Sequence, residues 1–475
     1  MSPPPAPPAP PPILASSSNI SPYLWFTGMA FAARSLWSQS VLSTYIYITV
    51  SESPTALGNL TGLMGLSQII ASIPAGIISD KYRRDTVLKI SLLFAFCSIG
   101  FITAAVFYSS YAFLLVGCAC YGSFYGCVYT AGEALLSDST PEGSRSKVLT
   151  KKQQVQSLGT CLGPLVALCM FAGLGNEWTK EDCAWVILAG QAAALPALLQ
   201  LCRMSDDRAA ADEGEEDAQK GLLDVTAEEA AEEERDESTD RSSARSSASR
   251  PPPSPYSRRV PITIAIADLI SGLASGMSIR FFPIFFYDTL DLSPVTVQVL
   301  YIISPLSIVY LSKLARSLSV KHKRCQTHVF FKWVGVSMMS AMLLAYHFDL
   351  PKPVILICYL ARTACMNCAK ALTTSQMYDY VRKEERGRFT VLESINMFSW
   401  SGSAAVGGVL VGKIGIVGNF IVTASLQFVA TLPLFTLFHL PSEEEQSLAR
   451  KRLSAGRPRK STLEEPLLPV DKDQR

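Results

Sequence analysis

Charge is scarce in this sequence. Of its 475 residues 17% are charged and 49% hydrophobic, with a mean hydropathy of +0.24. An ordinary soluble domain carries about 25% charged residues, so a purely water-facing globule is excluded. Histidine is scarcer still: only His322, His328, His347 and His439 occur, near the ends of apolar runs and without the spacing of a metal-ligand set. No glycine-rich segment closes on Lys-Ser or Lys-Thr, which argues against direct use of ATP. Neither a carboxylate cluster nor a nucleophile with its base stands out, so no enzyme, cofactor or metal site is expected. The net charge is only +2, and nucleic acid is not implied as a partner. The first twenty residues are proline-rich and lack the basic start of a cleavable signal, so the first apolar run is expected to act as an uncleaved anchor.

Long apolar runs are abundant. Twelve recur, each about 20 residues or more, enough to cross a hydrocarbon core of about 30 Å at 1.5 Å per residue. Six lie near 23–49, 58–79, 86–107, 111–137, 155–174 and 183–203, and six near 262–287, 295–318, 327–346, 353–380, 391–412 and 417–440. The two sets repeat. Ser53-Pro54 precedes one run that ends in Ser79-Asp80-Lys81-Tyr82-Arg83-Arg84, and Ser293-Pro294 precedes another that ends in Ser319-Val320-Lys321-His322-Lys323-Arg324. A duplicated helical half of membrane length follows. The expected organisation is a proline-rich arm (1–20), a six-helix bundle (21–203), an acidic then Ser/Arg/Pro-rich linker too polar to fold (204–259), a second six-helix bundle (260–440) and a charged tail (441–475). Most of the twelve cysteines fall inside apolar runs and read as packing residues. Cys365 and Cys368 have CxxC spacing but no second pair to complete a metal shell.

Lysine and arginine collect on alternate loops, at 81–84, 145–152, 321–324 and 382–388. That places the basic loops, both termini and the linker in the cytosol, in either the plasma membrane or an endomembrane of the vacuolar or endosomal kind.

These residues carry a resemblance. Gly76-Ile-Ile-Ser-Asp80-Lys81-Tyr-Arg83-Arg84 resembles the signature loop of the major facilitator superfamily, although that family usually has a glycine where Arg83 stands, and in the second copy Val320 replaces the aspartate. The segments from Asp138 to Arg145 and from Asp379 to Arg388 resemble the family's acidic-then-Arg-Gly loops. Gly159-Thr-Cys-Leu-Gly163-Pro164 resembles a Gly-Pro motif of its antiporters, for which a plain helix-packing role also suffices, as it does for Gly402, Gly407 and Gly408. The resemblance implies an all-α membrane protein of twelve helices in two pseudo-symmetric six-helix bundles. The implied function is secondary active transport of a small solute by alternating access, with one chain as the functional unit in the lipid bilayer. It also implies a cytosolic gate that includes Gly76, Asp80, Lys81, Arg83, Arg84, Arg145 and Arg386. For the basic residues, a role limited to topology and anionic lipid is the alternative. A receptor or scaffold that binds a ligand without net transport is the alternative for the whole chain.

Charges inside the runs are costly and tend to face a cavity or a partner. Arg34, Arg280, Arg362 and Lys370 fall on the first, seventh and tenth runs, which the resemblance assigns, with the fourth, to the central pathway. Against them stand Glu133 and Asp268. This excess of positive charge favours an organic or inorganic anion as solute, unless Arg362 and Lys370 form structural bridges and Arg280 reaches outward to the interface. Glu133 is the expected carrier of a coupling proton. Gln39, Gln68, Gln298, Asn367, Asn396, Tyr125 and Trp400 are further lining candidates.

Overall fold

A computed structural model describes residues 19–140, 145–207, 259–379 and 386–438, all of them helix or short connection. Residues 1–18, 141–144, 208–258, 380–385 and 439–475, which hold most of the linker and both tails, lie outside the described residues. Ten helical segments among the described residues are long and apolar enough to cross a membrane. The twelve spans follow because the first is broken into shorter pieces and because 401–437 holds two arms hinged at Gly415.

Span 1 is Ile20–Ser38 continued by Val41–Thr49; spans 2 and 3 are Pro54–Lys81 and Arg84–Tyr108. Span 4 is Tyr111–Cys127, a π-helical turn at Val128–Gly132, and Glu133–Asp138. Spans 5 and 6 are Arg145–Leu174 and Lys180–Leu201. Span 7 is Arg259–Ile279, Phe282–Ile284 and a π-turn at Phe285–Thr289. Spans 8 and 9 are Pro294–Lys321 and Arg324–His347, and span 10 is Lys352–Cys368 continued by Lys370–Asp379. Spans 11 and 12 are 386–414 and 416–429, the latter ending in a 3-10 turn at Leu432–Leu437. Spans 1, 4, 7 and 10 are all interrupted, whereas spans 2, 3, 5, 6, 8 and 9 run through.

The internal repeat has a local physical basis. Proline at the first helical position suits a fixed φ and a missing N–H, so Ser53-Pro54 and Ser293-Pro294 start spans 2 and 8; the Ser53 hydroxyl accepts from the Ala56 amide at 3.3 Å. At the far end Tyr82 and Arg83 are extended (φ −125° and −75°), as are His322 and Lys323 (φ −97° and −68°). The turn therefore needs no glycine at position 83, which explains how arginine stands there. Gly415 is different: φ 75° with ψ 171° lies in a region essentially restricted to glycine. Replacing it with alanine is expected to cost about 1–3 kcal/mol, read as a lower thermal midpoint in detergent.

The halves meet through spans 2 and 11 and through spans 5 and 8. Gly58 allows the first contact, since a Cβ there would lie 2.7 Å from the Ala404 carbonyl and 2.9 Å from Gly408 Cα. Gly159, Gly163 and Gly407 likewise sit against backbone, of span 1 for the first two and of Met277 for the third, so the glycines of the Gly-Pro motif serve packing. Away from the basic loops both halves share one apolar core that includes Trp37, Tyr45, Phe171, Phe282, Phe286 and Phe420. There Trp178 Nε1 donates to the Leu292 carbonyl (2.8 Å) and the Val295 amide to Asn176 Oδ1 (3.0 Å), tying the halves together. Toward the basic loops the buried clusters are separate, one built from the first half alone and two from the second. The bundle is thus sealed at the end opposite the basic loops.

Candidate functional site

The interruptions create the site. Breaking span 1 at Gln39–Ser40 leaves the Ser38 carbonyl without an intrahelical donor, and Arg280, at the break in span 7, donates to it from Nη1. Gln298 Nε2 donates to Ser40 Oγ at 2.9 Å, so the second half closes on the same break twice. Arg280 is buried, as is Arg362, whose guanidinium lies 5.0 Å from the Phe282 ring centroid. Arg34 lies over Tyr125 at 5.1 Å and Phe31 at 6.0 Å. It also lines a cavity of about 30 Å³ within the first half, together with Tyr121 and the buried Gln191.

Tyrosines link the three guanidinium groups. Tyr121 is within electrostatic range of Arg34 and Arg280, Tyr301 of Arg280 and Tyr359, and Tyr359 of Arg362. Among the described residues no carboxylate pairs with Arg34, Arg280 or Arg362. Arg280 Nε, Arg362 Nε and Gln39 Oε1 are buried with no hydrogen-bond partner. Such orphaned groups, two charged donors and one amide acceptor, are costly in a low-dielectric interior unless a ligand completes them.

The two acids set against these arginines in the sequence are engaged elsewhere. Glu133 accepts from Tyr23 Oη (2.8 Å) and pairs with Lys152 of span 5. Asp268 lies on span 7 within range of Lys332 of span 9, whose Nζ donates to Ser271 Oγ at 3.0 Å. A tally that set Glu133 and Asp268 against the arginines therefore understated the positive charge. Lys152 belongs to span 5 rather than to a loop, and Lys332 is a single lysine between Phe331 and Trp333 in span 9, a charge inside an apolar run that the sequence makes visible. Lys370 is exposed just after the break in span 10. Asn367 donates within its own helix to the Thr363 carbonyl (2.8 Å). The side chains of Trp400 and Asn396 lie outside the described residues.

At the basic end, Arg83 Nε donates to Asp85 Oδ1 (3.0 Å) and Nη2 to Asp207 Oδ2 (2.7 Å), and Arg84 pairs with Asp138. The Arg84 amide, at the positive start of span 3, donates to Asp206 Oδ2 at 2.6 Å. Asn19 ties Ser139 (2.8 Å) to the Ser205 carbonyl (2.9 Å). Every one of these partners belongs to the first half or to the residues just after it, so none bridges the halves. The hydrogen bond from Arg83, then that from Ser205, holds the exposed Asp207 carboxyl below the usual carboxylate range. This contact is present above the ordinary carboxylate value and is lost as pH falls through the depressed one. Gly76 faces Thr130 of span 4 and Lys81 is exposed; the side chains of Asp80, Arg145 and Arg386 lie outside the described residues.

Two bundles, interrupted central helices and the basic turn between spans 2 and 3 form a recognised arrangement. The family model described as Major Facilitator Superfamily matches residues 24–406. The chain belongs to that superfamily. The curated relatives it resembles are membrane transport proteins. It is similar to the inner membrane transport protein YajR of Escherichia coli (strain K12), 32% identical over 152 residues that make up 31% of each chain. It is also similar to a probable 4-methylmuconolactone transporter of Cupriavidus pinatubonensis (strain JMP 134 / LMG 1197), 26% identical over 37% of this chain and 39% of that one. These alignments span 31% and 39% of the two curated relatives. Among solved structures, the D-xylose–proton symporter superposes with a TM-score of 0.65 at 15% identity, over 88% of this chain and 97% of that one. At that identity the likeness is one of fold.

Proposed function

We propose that this superfamily member is a secondary transporter of a small organic anion, which binds between the halves at Arg280 and Arg362 with Arg34 beside them. The observation that carries the reading is that these three membrane-embedded arginines have no carboxylate partner among the described residues, while two carry buried unsatisfied Nε groups. Aromatic faces under Arg34 and Arg362 leave the guanidinium edges to bond a carboxylate in its plane. The positive-inside rule puts the basic loops, both termini and the linker in the cytosol. The sealed end then faces outward, and the solute would enter this state from the cytosolic side. Alternating access would follow from exchanging the sealed end for closure of the basic end, where Arg83 and Arg84, with Asp80, would find partners across the halves.

The test is uptake by proteoliposomes of labelled carboxylates and inorganic phosphate against neutral sugars. Saturable uptake of carboxylates alone is expected, and uptake of the sugars alone would refute the reading. Coupling to protons would run through Glu133, because protonation would release Lys152 and Tyr23 together. Glu133→Gln is therefore expected to retain anion counterflow and to lose accumulation driven by a pH gradient. Full accumulation in that variant would remove Glu133 from the role.

A further inference from the structure

The cavity beside Arg34 belongs to the first half alone. It measures about 30 Å³ and is walled by spans 1, 3, 4 and 6, with no residue of the second half in its lining. Arg34 reaches it from span 1, Ser98 from span 3 and Gln191 from span 6, and span 4 adds the rings of Tyr121 and Tyr125. Counted from Ile20, Arg84 and Leu201 at the basic ends of their helices, Arg34, Ser98 and Gln191 stand about 15–21 Å in at 1.5 Å per residue. They share one depth near the middle of the membrane.

Neither neutral group is spent on the protein. Gly190 brings span 6 against span 1, since a Cβ there would lie 2.6 Å from Trp37 Cβ, and the next residue, Gln191, is 3% exposed with its Nε2 unpartnered. Two turns before Ser98 on span 3, Ser91 returns its hydroxyl to the Leu88 carbonyl at 2.6 Å. Ser98 makes no such bond: it is 1% exposed and its Oγ has no hydrogen-bond partner. Arg34 lies over Tyr125 and has no carboxylate partner among the described residues, and no acid lines the cavity.

We propose that this cavity is a halide site in which Arg34, Ser98 and Gln191 donate together to one monatomic anion. Water would satisfy the hydroxyl and the amide, but it would leave the arginine's charge uncompensated between apolar walls. A water molecule needs roughly 10–15 Å³ of such space, so the cavity admits about two or three waters or one chloride, and no carboxylate that carries a carbon chain. The ion is therefore not the organic solute. Because every wall lies in one bundle, rocking of the halves leaves it in place, joining spans 3 and 6 to span 1 and offsetting the charge of Arg34. The proposal does not rest on the transport reading.

Thermal unfolding of the full chain in detergent tests it, with sodium chloride titrated against sodium gluconate at constant ionic strength. The midpoint is expected to rise saturably by at least about 3 °C. Sulfate is too large for the cavity and should give no saturable rise. Ser98→Ala combined with Gln191→Leu is expected to abolish the chloride effect, and the midpoint in gluconate should not fall, because orphaned polar groups are exchanged for apolar ones. Ser98→Ala alone, the milder variant, is expected to raise the chloride concentration at half effect at least about fivefold. Arg362→Gln, in the solute site, should keep the rise. The proposal is overturned by no rise in the unaltered protein, by a saturable rise with sulfate, by a rise that persists in the double variant, by an unchanged half-effect concentration in Ser98→Ala, or by loss of the rise in Arg362→Gln. A protein that shows the rise yet takes up only sugars would refute the transport reading and leave the halide site standing.

Discussion

Arg362→Gln is expected to lower the transport efficiency for an anion by roughly 100-fold, with Arg280→Gln comparable and Arg34→Gln smaller. Removing one member of a desolvated charge pair costs about 2–5 kcal/mol, and each 1.4 kcal/mol is a factor of about ten. Arg362 meets the conditions for a loss of about 3 kcal/mol, which corresponds to roughly 100-fold. It is buried, its Nε has no protein partner, and its face is covered by Phe282, so water cannot substitute for the lost bond. Arg280 already spends Nη1 on the Ser38 carbonyl, so its loss also frees the break in span 1 and should slow exchange as well as weaken binding. Arg34 is only half-buried. Initial rates of uptake over a concentration series in proteoliposomes separate the two effects. Wild-type efficiency in Arg362→Gln would show that the anion does not use this site.

The second large effect concerns the sealed end. A Cβ on Gly408 would stand 2.9 Å from the Pro54 carbonyl and 3.1 Å from Gly58 Cα, both backbone atoms that cannot rotate aside. Gly408→Leu therefore sets spans 2 and 11 apart. Overpacking of this kind costs about 1–3 kcal/mol, enough to move a two-state equilibrium by roughly 5- to 150-fold. The state with the end sealed is the one penalised. Native Cys183, fully buried in the core the halves share, is a built-in reporter. Its labelling by a membrane-impermeant maleimide, read by mass spectrometry, should rise by about an order of magnitude. Unchanged labelling would mean that the close approach at Gly58 and Gly408 does not set the closed state.

Much of the architecture was legible because lipid leaves few solutions: apolar length counts spans and the Ser-Pro and basic-turn repeats count halves. The breaks in spans 1 and 10 were not legible. Nothing in Trp37-Ser38-Gln39-Ser40 or Cys368-Ala369-Lys370 marks a helix end by proline or glycine, and the breaks arise from contacts across helices, such as Arg280 on Ser38 and His328 on Ala369. The arginines could be picked out because an ionised group in an apolar run is conspicuous. Their surroundings could not, because pairing Glu133 with Lys152 or setting Lys332 on Ser271 depends on which faces of different spans meet.

The interruption of all four central spans carries a mechanical consequence. An unbroken α-helix resists bending along its whole length, whereas a site that has already forfeited its ladder hydrogen bonds flexes at little further expense. The inner four spans can thus bend as jointed levers, each with its elbow at its own interruption. Occupancy at the elbow would then stiffen or slacken the joint directly, so that a small ligand steers a long arm without having to rotate an entire bundle by its own contacts.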